Sequence, residues 1–387
     1  MGSSRMVGLG QSTKTSISPR ILADTEFKNS HLIPPVFSGV IVILIKFSSF
    51  QYFITTITMA LRYATNQFKN YVENITIVGA GGTIGSYIAR ALIAQGKHKI
   101  NALTRLESKS ELPHGLHEIK KVDYSNHDNL VSALKGQEAL IITMIRTAPE
   151  ESQTRLIDAA VEAGVKYILP NEYGASETLR LPHVVKTREY IERVGKGATK
   201  WIGFCSGLWY DHSLPGNKAA GGKYRFGFDF GSKTLTLFDD GNTKICVVTW
   251  KQTGEAIAKL FALKRLPRLP ENVEDKSLTL SQFEDRVLFV NSFTISQRDM
   301  FTSVLRVTGD RESEWKVEYE NSQERFERGQ RMQKSGDVIG SVVWLYARVL
   351  FPDGTGDFSQ QIMNRELDLP KEDLDEETQR ILGSGTY

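Results

Sequence analysis

From residue 72 onward, short apolar runs alternate with longer segments whose apolar residues recur at helical spacing. The first run, residues 74–78, precedes a segment from Thr83 to Gln95 in which Ile84, Ile88 and Leu92 share one helical face. Further strands are predicted at residues 99–105, 117–122, 139–143, 166–169 and 200–205, separated by helices through 130–134, at 150–163 and from His183. This alternation is typical of a doubly wound parallel sheet.

After residue 210 the pattern becomes less regular. The elements predicted there are a hairpin at 223–238, strands at 245–250 and 286–290, and helices at 253–263, 297–307, 322–333 and 340–350. The acidic tail after Leu367 is interpreted as a solvated surface helix. We therefore predict an α/β fold, with a Rossmann-type doubly wound domain over residues 71–210. A smaller, mainly helical substrate-binding region would cover residues 211–387 and be partly interleaved with that domain.

The first 70 residues differ from the rest in composition. Residues 1–30 are rich in serine, threonine and basic residues, whereas residues 33–61 are strongly apolar but interrupted by Lys46. Three interpretations remain open: an extraneous leader with Met59 as the initiator, an organelle-targeting segment, or a membrane anchor. As an anchor the segment would bear a buried lysine that costs about 2.5 to 3.5 kcal/mol. Membrane contact is expected only through residues 33–61, and the compartment is otherwise expected to be cytoplasmic.

Composition narrows the possible partners. The 387 residues are 40% hydrophobic, enough for a large core, and the net charge of +3 is spread along the chain. Neither nucleic acid nor an anionic surface is therefore expected as a partner. Cys205 and Cys246 both lie in apolar runs, which favours buried free thiols. No metal is expected, because no cysteine or histidine spacing is typical of a metal site, and the sequence carries no signal of oligomeric state.

The sequence Gly-Ala-Gly-Gly-Thr-Ile-Gly lies between the first predicted strand and the first predicted helix. Its glycines Gly79, Gly82 and Gly85 would allow a sharp turn, close approach to a pyrophosphate and tight packing of helix on strand. Thr83 and Ile84 open the helix, whose unpaired N–H groups attract phosphate. This context predicts a dinucleotide-binding site.

The end of the second strand predicts which dinucleotide is bound. Enzymes that prefer NAD usually carry an acidic residue there, but this chain has Arg105, with Lys109 close behind. Arginine can bind a 2′-phosphate with two hydrogen bonds, and lysine adds a point charge. We therefore predict NADP(H), with a solvated loop cation as the alternative interpretation of Arg105.

The usual catalytic pair of short-chain dehydrogenases, Tyr-x-x-x-Lys, is absent. Pro182 stands four residues before Lys186, and neither Tyr173 nor Tyr190 has a lysine four residues on. Acid–base chemistry would therefore need a different group near the nicotinamide.

Several motifs resemble the NmrA-like and isoflavone-reductase-like branch of atypical short-chain dehydrogenases, which includes the plant phenylpropanoid reductases. They are the glycine turn, Thr104-Arg105 with Lys109, and residues 122–124, 166–174, 186–192, 205–210 and 292–297. The resemblance spans about residues 72–310 and looks closest to fungal isoflavone-reductase-like proteins. Plant members typically have Pro-Ser-Glu-Phe-Gly where residues 170–174 here are Pro-Asn-Glu-Tyr-Gly, and the loop at 175–182 diverges. These departures concern the substrate more than the fold.

The resemblance implies an NADPH-dependent reductase that transfers hydride to a small, aromatic or conjugated substrate. It implies that Lys186 holds the nicotinamide ribose and assists proton transfer, the alternative being a surface lysine paired with a neighbour on its helix. Asn171 would bind near the nicotinamide or act as a turn residue. Trp209 and Tyr210 would line an aromatic substrate site or pack in the core. A second class of function is a non-catalytic redox sensor that binds NADP(H), as regulatory members of the family do.

Overall fold

The computed structural model describes residues 70–145, 148–174, 177–214, 222–267 and 277–383. The predictions for the leader and for residues 33–61 therefore lie outside the described residues. Within the described ranges, every helix is too short or too polar to cross a bilayer.

Thirteen strands and ten α-helices are described. The strands are β1 (Asn74–Val78), β2 (Lys99–Arg105), β3 (Glu118–Val122), β4 (Ala139–Ile142), β5 (Tyr167–Leu169), β6 (Lys200–Cys205), β7 (Leu208–Trp209), β8 (Phe228–Asp229), β9 (Thr234–Phe238), β10 (Ile245–Val248), β11 (Arg286–Phe289), β12 (Phe293–Ile295) and β13 (Lys316–Glu320). The helices are α1 (Thr83–Gln95), α2 (His127–Leu134), α3 (Glu150–Glu162), α4 (Pro182–Gly195), α5 (Gly222–Arg225), α6 (Trp250–Phe261), α7 (Gln297–Thr308), α8 (Ser322–Lys334), α9 (Gly340–Val349) and α10 (Leu374–Gly383).

The central sheet has seven strands in the order β11-β6-β5-β4-β1-β2-β3. Every pairing within it is parallel. The strand order reverses between β1 and β4, where doubly wound sheets bind their ligands. The predicted Rossmann-type fold is confirmed.

Both faces of this sheet are covered by helices, which explains why β4 is apolar at every position. Ile141 packs with the cluster that includes α1 and α6. Leu140 and Ile142 point the other way, into the cluster that includes α2, α3 and α4. A parallel strand buried on both faces lacks the polar alternation of a half-exposed strand.

Two elements beyond residue 211 complete the nucleotide-binding half. Strand β11 pairs with β6 at the edge of the central sheet. Helix α6 packs on α1 so closely that a Cβ on Gly254 would lie 2.6 Å from the carbonyl oxygen of Tyr87. The two halves of the chain therefore interleave in the structure.

The C-terminal part contains more strand than the sequence predicts. It has two three-stranded sheets, β12-β10-β7 and β13-β9-β8, and β13 lies between two predicted helices, where no strand was predicted. The predicted hairpin is shorter than expected, because Gly222–Arg225 forms a helical turn before β8 and β9 pair. Strand β10 ends at Val248, since the Thr249 side chain caps the start of α6. Cys205 and Cys246 are buried free thiols, as predicted.

The prediction that the acidic tail forms a solvated helix is wrong in one respect. Helix α10 forms there, but one of its faces is buried against α7 and the 3-10 helix at Tyr210–His212. Its Thr378 hydroxyl lies 2.6 Å from the hydroxyl of Tyr210, and Arg380 Nη2 donates to Asp211 Oδ1 at 2.7 Å. These contacts join residues more than 160 positions apart in the sequence. The local composition of the tail therefore does not reveal that one face of the helix is buried.

The Arg380–Asp211 pair gives a first testable prediction. The side chain of Asp211 is only 2% exposed, so Arg380→Gln leaves a buried carboxylate without its cation. We expect the free energy of unfolding to fall by about 3 to 5 kcal/mol in urea denaturation. The control is Arg306→Gln, whose ion pair with Asp375 is half exposed and is expected to contribute less than about 1 kcal/mol. Equal losses in the two variants would contradict a structural role for the buried pair.

Candidate functional site

A cavity of about 400 Å³ opens at the carboxyl ends of β1, β2 and β4. Its walls come from the turn at 79–82, the end of β2 at 103–105 and the segment 143–145 after β4. This is the crevice at the switch point of the strand order, where open α/β sheets bind nucleotides.

The glycines of the turn leave no space for side chains. Gly79 has φ +79°, and a Cβ there would lie 1.9 Å from the carbonyl oxygen of Thr143. A Cβ on Gly85 would lie 2.1 Å from the carbonyl oxygen of Gly79. The tight turn and the close helix–strand packing predicted for these two glycines are thus present. Gly81 is also constrained, because its Cβ would lie 2.8 Å from the Glu111 carbonyl oxygen, a constraint that the sequence analysis missed.

The first turn of α1 is available to an anion. Gly82 is its N-cap residue, so the cap position provides no side-chain acceptor for the helix start. The backbone N–H groups of Thr83, Ile84 and Gly85 lack acceptors within the helix, as at any helix N-terminus. A phosphate at this point would accept hydrogen bonds from them and interact favourably with the helix dipole.

The two predicted cations occupy different positions. Arg105 is exposed at the end of β2 and borders the cavity together with Ser108 and Tyr124. Burial raises the pKa of Tyr124 to about 12, so this phenol stays neutral beside Arg105. Lys109 is exposed but is not part of the cavity wall. Of the two predicted 2′-phosphate ligands, the structure brings only Arg105 to the cavity.

Asn171 connects the ends of β4 and β5. Its Oδ1 accepts from the backbone N–H of Met144 at 3.0 Å, and its Nδ2 donates to the carbonyl oxygen of Met144 at 3.1 Å. The Asn171 backbone N–H in turn donates to Gln153 Oε1 at 2.8 Å. Both polar atoms of the Asn171 amide are therefore hydrogen-bonded to the Met144 backbone. Asn171 thus affects the cavity indirectly, because it holds Met144, which lines the cavity.

A buried ion pair that the sequence analysis did not single out lies next to Asn171. Glu172 is 4% exposed and accepts from Arg188 Nε and Nη2 at 2.9 to 3.1 Å. Arg188 also contacts Glu177 and stacks over the ring of Trp201 at 4.7 Å. Burial raises the pKa of Glu172 to about 7, and the Arg188 guanidinium opposes that rise. This pair fastens α4 to the loop that follows β5.

Lys186 lies on the opposite side of α4. Val184, Arg188 and Ile191 face the sheet, whereas Lys186 is exposed and half a helical turn away from Val184. Lys186 makes no ion pair with the described part of the chain, and Tyr190 instead donates to Asp158 on α3. The contact with a nicotinamide that the resemblance implies for this exposed lysine stays a prediction.

The two residues predicted to line a substrate site lie in different environments. Tyr210 is fully buried in the C-terminal core, and its hydroxyl pairs with Thr378, so core packing is the correct interpretation. Trp209 is partly exposed, and its ring meets that of His212 edge-on at a centroid distance of 5.3 Å. Among the described residues, no group of three or more metal-ligating side chains is present.

Comparisons with known proteins agree with this architecture. The model of the NmrA-like family matches residues 72–199. Oxidoreductase aprR of Aspergillus flavus is 26% identical over 319 residues, which cover 80% of this chain and 98% of that protein.

Solved structures also match across most of the chain. AtPrR2 with NADP+ and (+)-pinoresinol gives a TM-score of 0.60 at 18% identity, covering 80% of this chain and 99% of that one. NADPH-dependent quinone oxidoreductase QOR2 from Escherichia coli, complexed with NADPH, gives a TM-score of 0.56 at 19% identity. The match covers 80% of this chain and 100% of that one. The predicted resemblance to NmrA-like and isoflavone-reductase-like proteins is confirmed, and so is the fold. The roles of individual side chains remain predictions.

The buried pair at Glu172 yields a second prediction. Glu172→Ala removes the main partner of Arg188, and we expect the free energy of unfolding to fall by about 3 kcal/mol in urea denaturation. The control Glu177→Ala removes a carboxylate whose side chain is 32% exposed and should cost about 1 kcal/mol or less. A small loss in both variants would show that the pair does not hold α4 in place.

Proposed function

We propose that this protein is an NADPH-dependent reductase that transfers hydride to a small, aromatic or conjugated substrate. The observation that carries the proposal is the pairing of the glycine turn with Arg105 around one cavity at the switch point. The turn suits a pyrophosphate, and Arg105 suits the extra phosphate that distinguishes NADPH from NADH.

The relatives support the same cofactor and reaction class. The two solved structures named above carry NADP+ or NADPH, and the matched protein of A. flavus is named an oxidoreductase. One of the two structures also holds pinoresinol, an aromatic compound. These likenesses favour a reductase acting on an aromatic substrate.

Bound NADPH would supply the hydride, and the chain would supply binding, orientation and shielding from water. The first turn of α1 would hold the phosphates, and Arg105 the 2′-phosphate. Asn171 would keep Met144 in position along the cavity wall through its two hydrogen bonds. The nicotinamide end would extend toward the carboxyl ends of β5 and β6, where Trp209 offers an aromatic wall.

A proton must follow the hydride to complete the reduction. The resemblance assigns this step to Lys186, but Lys186 lies on the outer face of α4, and Val184 occupies the inward position. This observation favours water as the donor if the protein is a reductase. It also favours the second candidate, a sensor that binds NADP(H) without turnover.

Arg105→Ala tests the cofactor assignment. We expect NADPH binding to weaken by about 1.5 to 3 kcal/mol, the contribution of a charge-assisted contact, with little change for NADH. Both affinities can be measured by titrating nicotinamide fluorescence. Lys109→Ala is the matched control and should change neither affinity much, because Lys109 does not border the cavity. Equal losses for NADPH and NADH in Arg105→Ala would remove the 2′-phosphate assignment.

Lys186→Ala tests the proton donor. From its outward position we expect kcat to fall less than about tenfold and NADPH affinity to stay unchanged. Loss of a general acid instead costs about 10² to 10⁴-fold, and a loss of that size would restore the role implied by the resemblance. Glu189→Ala, on the same exposed side of α4, controls for changes in surface charge.

The proposal as a whole is tested by NADPH oxidation. The full chain is titrated with NADPH and NADH, and loss of nicotinamide absorbance is then followed against aryl ketones, enones and quinones. Strong preference for NADPH with oxidation by one class supports the reductase and identifies its substrate type. Tight binding with no oxidation by any class would favour the sensor.

A further inference from the structure

Arg225, at the end of helix α5, is a buried cation without an ion-pair partner among the described residues. It is 8% exposed, and its Nη1 atom has no hydrogen-bond acceptor. Neither an ion pair nor a side-chain hydrogen bond links it to the described residues. This is unusual, because arginine is almost never buried without a carboxylate or another acceptor.

Two more unsatisfied donors lie around the neighbouring imidazole of His212. The rings of Trp209 and Trp250 both meet that imidazole edge-on, with centroid distances of 5.3 and 5.2 Å. The Nε1 atoms of both indoles are buried and lack acceptors. We call Arg225, Trp209 and Trp250 the donor cluster. Roughly nine-tenths or more of buried polar groups in folded proteins are paired, so three unpaired donors in this part of the fold indicate a missing acceptor.

The neighbouring carboxylates do not supply that acceptor. Asp211 uses Oδ1 for Arg380 and Oδ2 for the backbone N–H of Trp250. Glu372 accepts from Thr249 and Ser292. His212 adds no positive charge, because burial, assisted by the nearby Arg225 charge, lowers the pKa of its imidazole to about 3. Arg225 is therefore the uncompensated charge of this region.

The donor cluster lies outside the cavity wall, on the side of the central sheet away from Arg105. Trp209 pairs with Val248, so it lies beside the start of α6. Trp250 contacts Tyr87 of α1 at a ring centroid distance of 5.9 Å, one turn beyond the glycine turn. Arg105 ends β2, on the far side of β1 and β4 from β6. A dinucleotide with its 2′-phosphate at Arg105 would therefore point its nicotinamide toward this cluster.

We propose that the donor cluster binds an anionic oxygen of the substrate, with Arg225 pairing with a carboxylate and the two indole N–H groups completing its hydrogen bonds. This inference rests on the proposed reductase function and narrows its substrate class to aromatic or conjugated acids. Arg225 and the two tryptophans position the substrate, and no covalent step is assigned to them. Retaining an unpaired buried guanidinium lowers the stability of the free protein, as is common for functional groups.

Binding of two matched probes tests the proposal. Cinnamate and cinnamamide share a conjugated aromatic skeleton but differ in charge. Each is titrated into the full chain saturated with NADP+, with tryptophan fluorescence or calorimetry as the readout. We expect cinnamate to bind at least about tenfold more tightly, the effect of one charge-assisted hydrogen-bonded contact. Equal affinities in the unmodified protein would overturn the proposal.

Variants then assign the preference to particular residues. Arg225→Gln should remove the preference for cinnamate, and Arg225→Lys should keep part of it. Trp250→Phe, which keeps an aromatic ring but removes the indole N–H, should weaken cinnamate binding several-fold. Arg311→Gln is the control, because Arg311 is 80% exposed and pairs only with Glu314 on the surface. A preference that survives Arg225→Gln would overturn the proposal.

Thermal stability separates a ligand site from a structural one. If Arg225 is kept for a ligand, Arg225→Gln should raise the melting temperature of the free protein by a few degrees, because it removes an unpaired buried charge. A lower melting temperature or failure to fold would assign Arg225 a structural role and overturn the proposal, and Arg225→Lys then decides whether charge or packing matters.

Failure of this inference can be distinguished from failure of the proposed function. Oxidation of NADPH by neutral enones, unaffected by Arg225→Gln, would leave the reductase in place and remove the acid site. Binding of cinnamate that depends on Arg225, without oxidation of NADPH by any compound, would keep the site and favour the sensor.

Discussion

The close approach of three backbone segments at the end of β1 is the constraint on which the rest of the site depends. The carbonyl oxygens of Gly79 and Thr143 lie where Cβ atoms of Gly85 and Gly79 would otherwise be. The Thr143 hydroxyl donates to the Val78 carbonyl oxygen at 2.7 Å and holds β4 against this turn. Any side chain at Gly79 or Gly85 would push β1, α1 and β4 apart. That separation would open the crevice and withdraw the helix N-terminus from it.

The edge of the sheet beyond this turn is held by polar contacts between loops. Asn171 ties the end of β5 to the end of β4, and the Glu172–Arg188 pair ties α4 to the same loop. Buried pairs of this kind contribute little net stability compared with apolar packing, but breaking them is costly, so they fix position. Their effect here is to define the path along which a bound dinucleotide would lie.

Periodicity in the sequence predicted the central sheet because each strand and helix there is buried in a regular way. It was less successful after residue 210, where short strands such as β7 and β8 have two residues each. The burial of α10 depends on distant partners such as Asp211, which no local pattern indicates. Lys186 is a different case, since the same periodicity that places Val184 and Ile191 inward also places Lys186 outward.

The two ends of the candidate site differ in the kind of group that recognises a ligand. At the phosphate end, recognition depends on backbone N–H groups and on missing side chains, features that any dinucleotide-binding turn provides. At the other end the proposed recognition would depend on side chains particular to this chain, among them Arg225 and Trp250, whose Nη1 and Nε1 atoms find no acceptor among the described residues. A fold that leaves such donors unpaired gives up stability, and a ligand is the simplest source of the missing acceptor. If the proposed acid site is correct, substrate identity is determined where buried donors of the protein have no acceptor among the described residues.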